Sequence, residues 1–192
     1  VRHEQGAGHM AEGYAQPFIQ EWSYAMTPQG HFVTAHTSRY AINIVRDGRV
    51  TRIERTHSPV RLGREEKSQW EGRAEFYSRR EPRSASAGVK IPDTKPALRE
   101  VSIDADGRIW VDRYAEAVYR KDIKPNPPNQ PPALTWREPR TFDVFDPAGR
   151  YLGTTTQLTR LPDAFGPDGV AAFIENDELG VPLIRIQRVR IR

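Results

Sequence analysis

Apolar and polar residues alternate one by one along most of this chain, in short runs separated by turn-forming residues. A period of two marks strands with one buried face. The pattern is clearest between Leu98 and Tyr114, where Val101 and Ile103 alternate with Glu100, Ser102 and Asp104, and Ile109 and Val111 alternate with Trp110 and Asp112. The turn Asp104-Ala105-Asp106-Gly107 joins the two strands. Aspartate opens such a turn by accepting bonds from the backbone ahead of it, and glycine supplies the positive φ that closes it. Upstream, the same grammar predicts four strands, Phe18 to Met26, Phe32 to Thr37, Tyr40 to Arg46 and Val50 to Thr56, with Pro28-Gln29-Gly30 and Asp47-Gly48 as turns. Downstream it predicts Arg140 to Asp146, with Phe142 and Val144 on one face, and Tyr151 to Leu158 across the Asp146-Pro147-Ala148-Gly149 turn.

Three more strands follow, Asp163 to Gly166, Val170 to Glu175 and Leu183 to Ile191. The last changes phase: Ile184 and Ile186 share one face, whereas Val189 and Ile191 fall on the other. A bulge near Gln187-Arg188 is expected to restore the phase, because one extra residue flips every side chain beyond it.

Two segments break the alternation. Over 63–81, with the core helix expected near 64–80, Trp70, Ala74 and Tyr77 form a narrow stripe at helical spacing. Glu65 and Glu66 sit at the start, Arg79 and Arg80 at the end, and Pro82 follows, as the helix dipole and proline chemistry favour. Residues 115–139 hold Pro125, Pro127, Pro128, Pro131, Pro132 and Pro139 and are expected to be an extended or irregular surface insertion. Residues 1–16 show no periodicity and are expected to be a disordered or extended N-terminal segment. Residues 82–97 read as a polar loop.

Serial four-stranded antiparallel units are the blades of a β-propeller. The expected fold class is therefore all-β: a partial β-propeller of about two and a half blades with one inserted helix. One blade spans 18–56, the helix 63–81, a second blade 98–158 with the proline-rich loop inside it, and an incomplete last blade 163–192. Strands numbering fewer than three full blades cannot close a ring. The chain is expected to continue in further blades, or to pair with a second copy or a partner through open sheet edges.

Composition narrows the function classes. The 192 residues include 16 prolines, 14 glycines and no cysteine, which excludes disulfides, thiolate metal sites and a cysteine nucleophile. No apolar run approaches the ~20 residues of a membrane helix. The formal charge is +4, carried by arginines interleaved with acids rather than clustered, so the pattern does not single out nucleic acid. No apolar leader core follows Arg2.

The chain also lacks a readable catalytic set. No phosphate loop, zinc spacing or triad is present, and Ser84 and Ser86 lie in no nucleophile motif. His31 and His36, five apart on one expected strand, point to opposite faces and do not share a metal. Asp104 could open a calcium loop, but Ile109 and Ala115 stand where an EF-hand needs glycine and glutamate. No catalytic, cofactor or metal residue is assigned.

The segment IDADGRIWVDRY followed by RTFDVFDPAGRYLGT resembles the NHL-type repeat. KPALREVSIDADGRIWV, FDVFDPAGRYLG and DELGVPLIRIQRVRI resemble the C-terminal portion of bacterial six-bladed propeller proteins. The resemblance implies a binding module whose loops hold a protein, peptide or glycan, in a periplasmic or secreted setting. An alternative it implies is a metal-dependent hydrolase or lyase of the gluconolactonase type, whose glutamate, asparagine and aspartate ligands are not identifiable here.

Overall fold

The computed structural model describes residues 16–80 and 90–189. The expectation for residues 1–16 lies almost wholly outside them, as do most of the polar loop from 82 and Ile191. The chain divides into two compact units. One combines Leu62–Asp93 and Ala117–Arg137 with the chain up to Ile19; the other combines Gln20–Arg61, Thr94–Glu116 and Glu138–Arg192.

The second unit is all-β. Strands β1 (Trp22–Met26), β2 (Phe32–His36), β3 (Ala41–Arg46) and β4 (Arg49–Glu54) form an antiparallel sheet in sequence order. Strands β5 (Glu100–Ile103), β6 (Ile109–Arg113), β9 (Thr141–Phe145) and β10 (Tyr151–Thr155) form a second. The third has three strands, β11 (Ala164–Phe165), β12 (Val170–Asn176) and β13 (Pro182–Arg188). Strands next to each other in a sheet follow one another along the chain, except that β6 pairs with β9 across an inserted segment, and the sheets do not close on themselves.

Apolar faces hold the sheets together. Val33, Ala35, Ile42 and Ile44 of the first sheet pack on Val101, Ile109, Val111 and Phe145 of the second. The opposite face of the second sheet sends Trp110, Phe142 and Val144 against Ala171, Phe173 and Val189. Each such side chain contributes about 1.5–3 kcal/mol when fully buried. The expectation of one buried face is thus corrected for β6 and β9. Ile109 to Asp112 and Phe142 to Phe145 are buried on both faces, because the second sheet lies between the other two.

One turn recurs through this unit. Asp104 Oδ1 accepts from the backbone N–H of Asp106 at 3.0 Å and of Arg108 at 2.8 Å, while Oδ2 takes Arg108 Nε at 2.6 Å. Asp146 repeats all three bonds with Ala148 and Arg150. Asp177 makes the backbone pair with Leu179 and Val181. The indole N–H of Trp110 donates to Asp104 Oδ2 at 2.9 Å, which fixes the largest core side chain to its own turn.

Two other expectations need correction. The first strand begins at Trp22 rather than Phe18; Phe18 lies in a turn at φ +59. No bulge interrupts β13, which pairs with β12 in unbroken register from Pro182 to Arg188. The phase changes because Ile184 and Ile186 face outward, while Arg185 and Gln187 share the covered face with Val189. The arginine is accommodated by stacking on the Phe173 ring, 4.4 Å from its centroid. The irregular step falls instead between Tyr151 and Gly153 of β10.

The first unit contains α1 (Arg64–Arg80), whose covered side carries Glu66 and Ala74, with Trp70 and Tyr77 half-buried along the expected stripe. Phe18 packs edge-on against Trp70 at 5.7 Å. The proline-rich loop is more ordered than its composition suggests. Within it β7 (Val118–Tyr119) pairs with β8 (Trp136–Arg137). The amide of Gln69 bonds both the hydroxyl and the backbone of Thr135, and Arg73 and Arg80 donate to the carbonyls of Pro132 and Asn129.

Candidate binding cavity at the loop end of the sheets

Antiparallel pairing brings the end of β2, the start of β3, the end of β4, the end of β6 and the start of β9 to the same end of the first two sheets. Two clusters of charged residues lie there, both within the β unit.

The first centres on Asp143, fully buried in the middle of β9. Its Oδ2 accepts from the Tyr40 hydroxyl at 2.6 Å and from Arg55 Nη1 at 2.8 Å, with Arg113 at 3.4 Å. Its Oδ1 accepts from the Thr154 hydroxyl. Burial, and then the bond to Asp143, push the Tyr40 phenol far above its ordinary range, so it stays a neutral donor. Arg55 also lies 4.2 Å over the Tyr151 ring. His57 lies beside Tyr40, with ring centroids 6.3 Å apart. Burial, reinforced by Arg113, lowers its pKa, and its buried Nε2 has no hydrogen-bond partner among the described residues.

A cavity of about 530 Å³ opens beside this cluster, lined among others by Ser38, Arg39, Tyr40, Arg52, Arg55 and His57. Among the described residues of its lining Glu54 is the only acid, and it is already engaged by Arg52 at 2.6 Å. Arg39 makes no ion pair among the described residues and is exposed. The cavity therefore presents guanidinium donors and a neutral imidazole, a set that complements a carboxylate.

The second cluster is closed. The buried Lys95 ammonium donates to the Ala115 carbonyl at 2.9 Å and pairs with Glu138 at 3.1 Å. Arg99 reaches Glu138 and stacks 3.8 Å over Tyr114. Asp112, fully buried, pairs with Arg140 and lies 3.6 Å from Arg99 Nε. Burial outweighs both cations and pushes the Asp112 carboxyl up to about 6. Its Oδ1 and Arg99 Nε make no hydrogen bond among the described residues. This network staples the segment before β5 to the segment before β9.

The residues weighed from sequence fall elsewhere. His31 precedes β2 in a turn, whereas His36 ends β2, bonds Ser38 and stacks edge-on with Trp22 at 5.2 Å. Asp104 and Asp106 are turn residues whose carboxylates are taken by Arg108. Ser84 and Ser86 lie outside the described residues. Among the described residues, no group of three or more histidines, aspartates and glutamates could hold a metal ion. The cluster around Asp143 was not read from sequence, although a lone aspartate inside Phe142-Asp143-Val144-Phe145 signals a buried charge that must find a partner.

No protein-family model, curated protein or solved structure matches this chain.

Proposed function

We propose that this chain is a non-catalytic propeller-type module, related to the NHL-like repeats, that binds a protein or peptide partner at the loop end of its sheets. The cavity beside Tyr40 takes a carboxylate of that partner, an aspartate or glutamate side chain or a chain terminus. The observation that carries this is the lining: Arg39, Arg52 and Arg55 surround the space, and the one acid there is already paired. The polar groups are held rather than poised for proton transfer. Tyr40 is committed to Asp143, and Asp143 to Tyr40, two arginines and Thr154. Rigid sheets that display such loops are the usual scaffold for recognition.

The test is calorimetric titration with a glutamate-rich peptide and its glutamine counterpart at low and physiological salt. The glutamate peptide should bind more tightly by about tenfold or more, since charge-assisted hydrogen bonds are worth about 1.5–3 kcal/mol each. Arg39→Glu should abolish that preference. Equal binding of the two peptides, or a preference unaffected by Arg39→Glu, would refute the reading.

A further inference from the structure

We infer that the carboxylate cavity continues across the first sheet into a second pocket, where the Trp22 indole stacks on a proline of the same acidic peptide. This rests on the peptide reading of that cavity and adds a second point of contact to it.

The register fixes what the outward face of the sheet carries. Trp22 pairs with His36, Tyr24 with Thr34, Thr34 with Asn43, and Asn43 with Arg52. All lie on the side opposite Val33, Ala35, Ile42 and Ile44, which contact the second sheet. Ala41 pairs with Glu54 on the same side. The face is therefore aromatic at β1 and charged at β4, with the half-buried Asn43 between. Ala41 is too short to fill the space among its larger neighbours, and a cavity of about 440 Å³ lies there, lined by Trp22, His36, Asn43 and Arg52. Its lining shares Ser38, Arg39, Ala41 and Arg52 with the first cavity, so the two adjoin in one groove that runs across the strands.

The chemistry along the groove selects the occupant. Arg39 and Arg52 stand where the cavities meet, and Glu54 is taken by Arg52, so the carboxylate lies toward β4. At the other end Trp22 is 65% exposed and meets His36 edge-on at 5.2 Å. A peptide in this groove crosses the strands, so its backbone cannot extend the sheet by ladder pairing. It needs a conformation that stands without such bonds. Polyproline II does so, and it leaves its backbone groups open to side-chain partners. Asn43 offers an amide with both donors and an acceptor. The Ser38 N–H donates to His36 Nδ1 at 3.4 Å, which leaves the other ring nitrogen as a donor. Proline-rich segments dock in grooves lined by aromatic side chains, and Trp22 and Tyr24 stand side by side on this face.

The sheet also sets the spacing. Arg52 on β4 and Trp22 on β1 are three strand intervals apart, roughly 14 Å. At the polyproline II rise that is about four residues.

Four peptides test this by calorimetry. Each carries glutamate or glutamine at its centre and either proline or alanine four positions to each side. The proline peptide with glutamate should bind about three- to tenfold more tightly than its alanine counterpart, the range of a ring contact. Trp22→Ala should remove that difference and keep the preference for glutamate over glutamine, which also shows that the variant is folded. Trp22→Phe, which retains a ring, should keep most of the difference. Equal binding of the proline and alanine peptides, or a proline preference that survives Trp22→Ala, would overturn the ring pocket, and with the glutamate preference intact the carboxylate reading stands alone. A proline preference that depends on Trp22 without any glutamate preference would support the ring pocket and refute the carboxylate reading. Binding of none of the four would overturn both.

Discussion

The Tyr40 hydroxyl donates to Asp143 at 2.6 Å across 103 residues of sequence, with both side chains buried. The bond ties the loop between β2 and β3 to the centre of β9, and so fixes the first sheet to the second at the rim of the cavity. Because Asp143 keeps Arg55, Arg113 and Thr154 when Tyr40 is lost, Tyr40→Phe should cost about 1.5–3 kcal/mol, the range for a hydrogen bond to a charged group. Asp143→Ala strands two arginines and a phenol and should cost about 3–5 kcal/mol. Urea unfolding of both variants checks the order; an equal cost would mean that Asp143 is held by Tyr40 alone.

Asp112 gives stability a pH dependence of unusual sign. Its carboxyl titrates near 6 in the folded chain against 3.8 as its ordinary value. Between those values the folded state holds more protons than the unfolded one, so stability falls as pH rises. The cost of the buried charge is absent below about pH 4 and complete above about pH 6. Asp146, Asp163 and Glu175 are shifted down by their bonds to Arg150, Arg160 and Arg185, so their contribution is lost only as pH falls below the ordinary carboxylate range. Asp112→Asn should therefore flatten the profile between pH 4 and 6. An unchanged slope in denaturant midpoints would contradict the assignment.

Two turn glycines should behave differently on substitution. Gly30, at φ +83, has open space around a would-be Cβ. Its change to alanine should cost only the left-handed backbone penalty of roughly 1–2 kcal/mol. Gly169, at φ +72, would place that Cβ 2.6 Å from the Val189 carbonyl oxygen, the residue whose N–H donates to Gly169. Gly169→Ala must push the end of β13 away and should cost clearly more than Gly30→Ala. Thermal unfolding of the pair settles it, and equal losses would count against the close approach.

The local grammar of this fold was legible because it depends on neighbours in sequence. Asp104 and Asp146 bond residues two and four ahead, so the turns and the two four-stranded units could be placed from the chain alone. The misses concern what lies across space. Alternation cannot show that β6 is covered on both faces, since Trp110 and Asp112 read as an outward face until the third sheet and Arg140 cover them. Ile184 and Ile186 read as core because nothing local reveals that Arg185 stacks on Phe173. The short ladder of Val118 with Arg137 closes a long proline-rich loop, a non-local pairing that composition hides. The cluster beside the cavity joins Tyr40 and Arg55, which flank strands of the first sheet, to Asp143 of the second, and no spacing rule links those positions.

Carboxylate binding in the cavity is tested most directly by titrating His57 by NMR, with and without the glutamate-rich peptide, its resonance assigned through His57→Gln. In the free chain, burial and Arg113 hold the imidazole below its ordinary range. A carboxylate seated in the cavity favours the imidazolium, because an opposite charge within about 4–6 Å stabilises the charged form. The His57 pKa is expected to rise on adding the glutamate peptide and to stay put with the glutamine peptide. An unmoved His57 pKa at saturating glutamate peptide would contradict carboxylate binding in the cavity.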